Sequence, residues 1–290
     1  EHLDEAVRSA LASTVRPHEI LLIDDGTTRP ESVAALEALA QHPGVRVITH
    51  PENKGLSAAR NTGMQAAQTE LVLQLDADDR IDPTMLEKAT WALACHPEWS
   101  FVNAWVRAFG AKDYVWTRGF EVGRDFLADN QVNPIAVIRR SADRAIGGHD
   151  ESIRGGMEDW DYWLKMAAHG YWGGTLPEVL IEYRIHPQPT YWPNRDHPEQ
   201  RQAFRRQLRQ RYACLWNKGF PRINNRPGTV PESISSLAPA VAPQQTPHIL
   251  LIVPWLALGG ADRFNLNLTQ QLTARGWRVT IATTLEHADP

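Results

Sequence analysis

Several features that narrow the choice of protein class are scarce or absent in this chain of 290 residues. Cysteine occurs at two positions, Cys95 and Cys214, so there is no disulfide framework. The sequence contains no run of about 20 apolar residues, the length needed to span a membrane, and no secretory signal peptide is visible. The formal net charge is −4 and charged residues make up 22%, so the composition gives no indication of nucleic-acid binding or of disorder. The cytoplasm is the default location for such a chain.

Carboxylates follow a short apolar run in the first third of the sequence. Residues 70–75 have the length of a buried strand, and Asp76, Asp78 and Asp79 come directly after it. Open α/β sheets bind ligands at the carboxyl ends of their strands. Closely packed carboxylates repel one another unless a cation or a ligand's hydroxyls lie between them, so the cluster predicts a Mg²⁺ or Mn²⁺ site for a diphosphate. The alternative is an acidic turn that caps the next helix.

Alternating strand and helix patterns precede this cluster. In order, they are a strand at 19–23, a helix at 32–41, a strand at 45–48, and a loop leading into a helix at 53–63. The first strand ends in Asp24 and Asp25, which adds two carboxylates at the same edge of the sheet. The alternation predicts a doubly wound, mostly parallel α/β sheet.

A second acidic pair, Glu158 and Asp159, lies in a Trp-rich segment far downstream. Apolar residues recur there at helical spacing after Gly155 and Gly156, which places Asp159 in the first turn of a helix. The N–H groups of a first turn favour the ionised carboxylate, and an ionised carboxylate near a reacting carbon can take the proton of an attacking hydroxyl. The pattern predicts a general base at Asp159, with simple N-capping of the helix as the alternative.

Four motifs in this order resemble those of family 2 glycosyltransferases of the GT-A fold. They are Asp24-Asp25-Gly26, the run Asn53-Lys54-Gly55-Leu56-Ser57-Ala58-Ala59-Arg60-Asn61, the DXD-containing Leu75-Asp76-Ala77-Asp78-Asp79, and Glu158-Asp159-Trp160-Asp161. The resemblance covers about residues 1 to 190 and implies a GT-A nucleotide-diphospho-sugar transferase fold. It also implies inverting transfer of a sugar from a UDP-, GDP- or dTDP-sugar to a carbohydrate or lipid-linked glycan acceptor, in surface polysaccharide or glycan biosynthesis.

The resemblance further implies a role for each candidate residue. Asp159 is the catalytic base. Asp78 and His186 are the ligands of Mn²⁺ or Mg²⁺, and the nitrogen ligand favours Mn²⁺. The donor-binding residues are Asp24, Asp25, Lys54, Arg60 and Asp76. On the acceptor side we expect Glu158, with the rings of Trp160 and Trp192 as platforms that stack on a sugar.

The chain departs from the family pattern at both ends. It opens at Glu1 inside what the resemblance makes the first helix, so we expect the first strand of the sheet to be missing. We assign the GT-A domain to 1–220 and a Pro/Ser/Ala-rich linker to 221–247. Residues 248–290, with Gly259-Gly260-Ala261-Asp262-Arg263 between two strand patterns, resemble the first βαβ unit of a family 4-like GT-B glycosyltransferase domain with a Rossmann-like fold.

The Gln-x-x-Arg-Trp signature of membrane-bound processive synthases is absent. We therefore expect a non-processive enzyme without a transmembrane segment, in the cytoplasm or peripherally at the inner face of the membrane.

Two other functions stay open on the sequence alone. A sugar-nucleotide pyrophosphorylase shares the α/β sheet and the acidic metal site, but needs a Gly-rich loop with a basic residue for a triphosphate. The other alternative is a non-catalytic module that binds a sugar nucleotide or a carbohydrate.

Overall fold

The computed structural model of the chain describes residues 2–188, 190, 192–221, 248–253 and 268–283. They fall into two units, Glu1–Pro239 and Ala240–Pro290. The predicted linker, from residue 222 onward, and the predicted turn at 259–263 lie outside the described residues.

The helices of the first unit are α1 (Leu3–Leu11), α2 (Pro30–Ala40), α3 (Leu56–Ala66), α4 (Met85–Cys95), α5 (Arg140–Ile146), α6 (Glu158–Ala168), α7 (Pro193–Asp196), α8 (Pro198–Arg211) and α9 (Ala213–Lys218). Most of these helices bury small or apolar side chains, whereas α2 and α7 have no buried residues. A 3-10 helix covers Gly123–Leu127. The predicted helix at 32–41 is confirmed as α2, and the small-residue helix after the 53–55 loop is confirmed as α3.

Short apolar runs form most of the strands, as β-branched and aliphatic residues favour. The strands of this unit are β1 (Ile20–Asp24), β2 (Val45–Thr49), β3 (Leu71–Gln74), β4 (Arg80–Ile81), β5 (Phe101–Gly110), β6 (Tyr114–Trp116), β7 (Ala136–Arg139) and β8 (Gly174–Ile185). The strand patterns at 19–23, 45–48 and 70–75 are thus confirmed as β1, β2 and β3.

The strands form a parallel pair and a larger mixed sheet. β1 pairs with β2 in parallel. The larger sheet has the order β3-β7-β5-β8-β4, with β6 added beside β5. β5 and β8 run parallel, whereas β7 is antiparallel to both β3 and β5. The predicted α/β class is confirmed, but the larger sheet is mixed, because β5 and β7 belong to a region whose strands the sequence patterns did not predict.

Aromatic side chains fill the core between the larger sheet and α6. Trp160, Tyr162 and Trp163 are each at most 1% exposed. The Phe101 ring lies 4.8 Å from the Trp163 ring and 5.6 Å from the Trp172 ring, centroid to centroid. Trp160, Trp163 and Trp172 therefore serve packing, and they anchor α6 in the core.

A left-handed turn sets the start of α6. Gly156 has φ 81° and Met157 has φ 63°, and the helix begins at the next residue. A Cβ at Gly156 would lie 2.7 Å from the Cβ of Trp192, so only glycine fits beneath that side chain. The turn delivers Glu158 and Asp159 to the first turn of the helix, as the sequence predicted.

The second unit contains a parallel pair of strands and part of a helix. β9 (His248–Val253) pairs in parallel with β10 (Arg278–Thr283), and a helix, α10, covers residues 268–274. The predicted strands on either side of a helix are confirmed, whereas their assignment to a GT-B domain stays a prediction. Within the described ranges, every helix of the chain is too short or too polar to cross a membrane.

Candidate active site

The structure brings the two predicted metal ligands together. Asp78 lies in the turn after β3, and His186 directly follows β8. The His186 Nε2 atom is 2.7 Å from Asp78 Oδ2, and each side chain is 39% exposed. An exposed carboxylate and imidazole at one point of the surface form a donor set that suits a divalent cation.

This donor set is small. Among the described residues, no group of three or more His, Cys, Asp or Glu side chains is arranged to hold a metal ion. Mg²⁺ commonly takes only one or two protein carboxylates and fills its other positions with water and substrate phosphates. Asp78 and His186 therefore fit a cation that is completed by the oxygens of a diphosphate.

Asp79 connects the turn that contains Asp78 to the neighbouring strand β8. It is 1% exposed, and its Oδ1 accepts a hydrogen bond of 2.7 Å from the backbone N–H of Arg184 on β8. Burial and the charges of Asp76 and Asp78 raise its pKa to about 8. Asp79 thus fastens the DXD turn to β8, and its side chain is closed off from the surface.

Arg60 of α3 joins the two acidic clusters. Its Nη2 is 3.0 Å from Asp76 Oδ1, and its Nη1 is 2.7 Å from Glu158 Oε1. The Arg60 side chain is 7% exposed. Burial opposes its charge, yet the carboxylates of Asp76, Glu158 and Asp159 raise its pKa further. The guanidinium therefore fixes the end of β3 relative to the start of α6.

We predict that Arg60→Gln is strongly destabilising, since it leaves Glu158 and Asp76 without their buried counterion. Loss of one partner of a buried ion pair costs about 3–5 kcal/mol. Arg46→Gln is the matched control, because Arg46 pairs with Glu19 while 45% exposed and should cost at most about 1 kcal/mol. Urea unfolding measures both free energies; equal small losses would show that the Arg60 link carries little stability.

Asp159 has the environment of a titrating carboxylate. Its Oδ2 accepts a 2.7 Å hydrogen bond from Asn130 Nδ2, and its Oδ1 lies 2.9 Å from the backbone N–H of Trp160. Burial and the negative charge of Glu158 raise its pKa to about 7, against the opposing charge of Arg60. The N–H groups of the helix terminus are expected to keep Asp159 ionised, but burial and Glu158 have the larger effect on its pKa. A partly exposed carboxylate with this pKa can exchange a proton near neutral pH.

Asp24 and Asp25 form hydrogen bonds with loop residues near the end of β1. Asp25 Oδ1 is 2.7 Å from His50 Nδ1 and 2.8 Å from the backbone N of Lys54, while its Oδ2 is 2.7 Å from the backbone N of Gly55. Asp24 Oδ1 accepts from the backbone N–H of Thr27 at 2.9 Å. Both carboxylates shape the loops at this edge, and Lys54 takes part through its backbone, with its side chain exposed. Their contact with a nucleotide stays a prediction.

Burial contradicts the prediction that the Trp160 ring stacks on a sugar, whereas the acceptor-side role of Glu158 stays a prediction. Trp160 is 1% exposed, and its Nε1 donates to the carbonyl of Phe126 at 2.7 Å, so its ring packs in the core and offers no face for stacking. Glu158 is 8% exposed and pairs with Arg60. Trp192, half-buried over Gly156 at the start of α6, remains the candidate for a sugar platform.

Sequence reasoning missed two residues of this site. Asn130, which donates to Asp159, lies in an irregular segment where no periodicity marks it. His50 is 7% exposed and links Asp25 to Thr62 Oγ1 at 2.9 Å. Its position directly after a predicted strand, at the edge where Asp24 and Asp25 lie, was a signal that could have found it.

A family model and several known proteins are similar to this chain in sequence. The family model described as "Glycosyl transferase family 2" matches residues 1–147. An uncharacterized glycosyltransferase of Haemophilus influenzae is 26% identical over 193 residues, which cover 64% of this chain and 71% of that protein. The UDP-Gal:alpha-D-GlcNAc-diphosphoundecaprenol beta-1,3-galactosyltransferase of Escherichia coli is 24% identical over 190 residues, 63% of this chain and 68% of that protein.

Solved structures share the fold of the first unit. The crystal structure of S. aureus TarS 1-349 in complex with UDP-GlcNAc superposes with a TM-score of 0.57 at 15% identity. The match covers 73% of this chain and 68% of that one. The mixed sheet with its parallel strands is therefore a GT-A-like glycosyltransferase fold.

Proposed function

This chain belongs to glycosyl transferase family 2 and is a glycosyltransferase, and on that premise we propose that it transfers a sugar with inversion from a nucleotide-diphosphate donor to a carbohydrate acceptor. The donor side consists of Asp76, Asp78 and His186. The acceptor side begins at Asp159. The reaction is a single displacement, in which an acceptor hydroxyl attacks the anomeric carbon and the nucleoside diphosphate leaves.

The donor side would hold a divalent cation through Asp78 and His186, whose nearest atoms are 2.7 Å apart. When bound, such a cation would neutralise the charge of the diphosphate, which the carboxylates of Asp76 and Asp78 would otherwise repel. Asp76 is held by Arg60 at 3.0 Å and keeps part of its surface exposed, so it can accept a hydrogen bond from a ribose hydroxyl. The contacts of Asp24, Asp25, Lys54 and Arg60 with the donor stay part of the proposal.

Asp159 would accept the proton of the acceptor hydroxyl. Its side chain is held at both oxygens, by Asn130 and by the backbone N–H of Trp160. That leaves the remaining lone pairs of the carboxylate for one further donor. A general base held in this way loses little entropy when it takes the proton.

The observation that carries the proposal is the Arg60 bridge. One buried guanidinium contacts Asp76 on the donor side at 3.0 Å and Glu158, the neighbour of the base, at 2.7 Å. The two acidic clusters, 82 positions apart from Asp76 to Glu158 in sequence, therefore share one rigid face. A displacement reaction needs this arrangement, because nucleophile, anomeric carbon and leaving group must be aligned.

Incubation with a panel of UDP-, GDP- and dTDP-sugars and Mn²⁺ tests the proposal. Release of a nucleoside diphosphate supports a transferase. Formation of nucleoside triphosphate from a sugar nucleotide and pyrophosphate supports the pyrophosphorylase. Binding of a sugar nucleotide without turnover, with any carbohydrate acceptor supplied, supports the non-catalytic module and contradicts the proposal.

The rate of transfer should rise with pH and level off above an apparent pKa near 7. Burial and Glu158 raise the pKa of Asp159 to about 7, so the base carries a proton below that pH and is free above it. The charged and titratable groups around it are Glu158, Arg60 and Tyr183, whose own pKa is raised first by burial and in part by Asp159. A pH profile of kcat at saturating donor measures the rise.

Glu158→Gln provides the control for this profile. It removes the negative charge that raises the pKa of Asp159, and it leaves Arg60 free of one counterion. Both changes favour the ionised base, so the rise in kcat should move to lower pH. A rise that stays in place in this variant would exclude Asp159 as the titrating group.

The names of two relatives support a proposal for the acceptor and for the place of the reaction. The name of the Escherichia coli relative describes an acceptor in which GlcNAc is attached to diphosphoundecaprenol. Another relative, 25% identical over 189 residues, is described as an amylovoran biosynthesis glycosyltransferase of Erwinia amylovora. We infer that this chain acts on a carbohydrate or lipid-linked glycan in polysaccharide synthesis, at the cytoplasmic face of a membrane.

A further inference from the structure

An arginine-lined cleft lies beside α7 and α8. It has a volume of 460 Å³ and is lined by Arg195, Asp196, Pro198, Arg201, Gln202 and Arg205. Three of these six side chains are guanidinium groups, and none of the mechanism above uses them. Their chemistry suits an anion with several oxygen atoms, since a guanidinium presents a planar fork of N–H donors.

The positive charge of the cleft is only partly compensated. Arg201 and Arg205 both contact the same oxygen, Asp129 Oδ2, at 2.7 Å and 3.2 Å. Arg195 pairs with Asp196 at 2.7 Å. One carboxylate thus serves two cations four positions apart on α8, which repel each other when unpaired.

Two donors in the cleft have no acceptor. The Nε atoms of Arg201 and Arg205 are buried and have no hydrogen-bond partner among the described residues. A buried N–H donor of a charged group that lacks an acceptor is costly. A bound anion would balance the second positive charge, which Asp129 alone leaves uncompensated.

The cleft adjoins the catalytic base. Asp129, which holds Arg201 and Arg205, is followed in the chain by Asn130, whose Nδ2 donates to Asp159 at 2.7 Å. The Arg205 guanidinium also lies 5.9 Å from the centre of the Trp160 ring, the residue after the base. The cleft is therefore connected to Asp159 through Asp129 and Asn130, whereas Asp78 and His186 lie after β3 and β8.

We propose that this cleft binds the phosphate or diphosphate group of an anionic acceptor and so positions the acceptor's sugar at Asp159. This proposal rests on the proposed function and specifies the acceptor class: a glycan carried on a phosphate or diphosphate. Arg201 and Arg205 supply the principal contacts, and Arg195 closes the cleft from α7.

Binding of inorganic pyrophosphate, measured by calorimetry in EDTA at low salt, tests the cleft directly. EDTA removes the cation that would draw pyrophosphate to Asp78. Arg201→Gln and Arg205→Gln should each weaken binding by about tenfold or more, as expected for loss of a charge-assisted hydrogen bond. Arg206→Gln is the matched control: Arg206 lies on the same helix, is exposed and does not line the cleft, so binding should stay within about twofold.

Asp129→Asn separates anion binding from a structural role of the two arginines. It removes the competing carboxylate but keeps the oxygen that accepts from the backbone N–H of Asn130. If the cleft binds an anion, this variant binds pyrophosphate more tightly than the wild type. If the arginines only hold Asp129 in place, it resembles Arg201→Gln, and the proposal is overturned.

The outcome is independent of the donor reaction. Binding of a UDP-sugar with Mn²⁺ is measured in the same four variants and should not change. If Arg201→Gln and Arg205→Gln bind pyrophosphate as tightly as Arg206→Gln while donor binding is intact, the acceptor cleft alone is refuted. If the wild type does not bind the donor, the proposed function is refuted. Equal weakening in Arg201→Gln, Arg205→Gln and Arg206→Gln, together with equal loss of binding to anionic lipid vesicles, would mean a membrane-facing helix and would also refute the cleft.

Discussion

Asp159→Asn should lower the rate of sugar transfer by about a hundredfold or more, the usual contribution of a positioned general base. The substitution keeps the shape of the side chain and removes its capacity to accept a proton. Donor affinity should be unchanged, because the proposed cation is held by Asp78 and His186, whereas Asp159 is hydrogen-bonded to Asn130 and Trp160. Single-turnover transfer and donor calorimetry measure the two quantities separately.

Two further measurements on this residue distinguish a base from a structural carboxylate. The pKa of Asp159 is raised to about 7, so the folded state binds its proton more tightly than the unfolded state. Ionisation of Asp159 therefore costs stability progressively between its unfolded pKa of about 4 and pH 7, and Asp159→Asn should melt at a higher temperature than the wild type at pH 8. Asp161→Ala on the same helix should lose stability instead, since it removes the oxygen that accepts from Tyr212 and Arg211, with little change in rate. Equal losses of donor binding and turnover in Asp159→Asn would assign Asp159 a structural role.

Asp78→Asn should abolish the metal-dependent part of donor binding. The substitution removes one formal charge and one ligand oxygen from the pair that Asp78 forms with His186 at 2.7 Å. Calorimetry of a UDP-sugar with Mn²⁺ should show a large loss of affinity in the variant. The same titration in EDTA is the control, because the wild type and the variant should then bind equally weakly. Unchanged affinity with Mn²⁺ would exclude Asp78 as a ligand.

The local parts of this site could be predicted from the sequence. Apolar runs of strand length ended in Asp24 and Asp76, and helical spacing placed Asp159 in the first turn of α6. Each of these inferences needs only a few neighbouring residues, because strand and helix periodicity are local properties.

The tertiary parts could not be predicted. Arg60 belongs to a helix of small residues, and nothing in that helix shows that its guanidinium reaches Glu158. Trp160 has the amphipathic character of a sugar platform, yet neighbouring rings bury it to 1%. The parallel pairing of β5 with β8 joins segments about seventy positions apart in the chain, and no local pattern specifies such a partner.

The anomeric configuration of the first sugar released tests the central claim most directly. With an α-linked UDP-sugar, Mn²⁺ and water as the acceptor, proton NMR records the product before mutarotation equilibrates it. A single displacement assisted by Asp159 predicts that the β anomer forms first, and that Asp159→Asn slows its formation. Initial release of the α anomer would mean retention of configuration and would contradict the proposed mechanism.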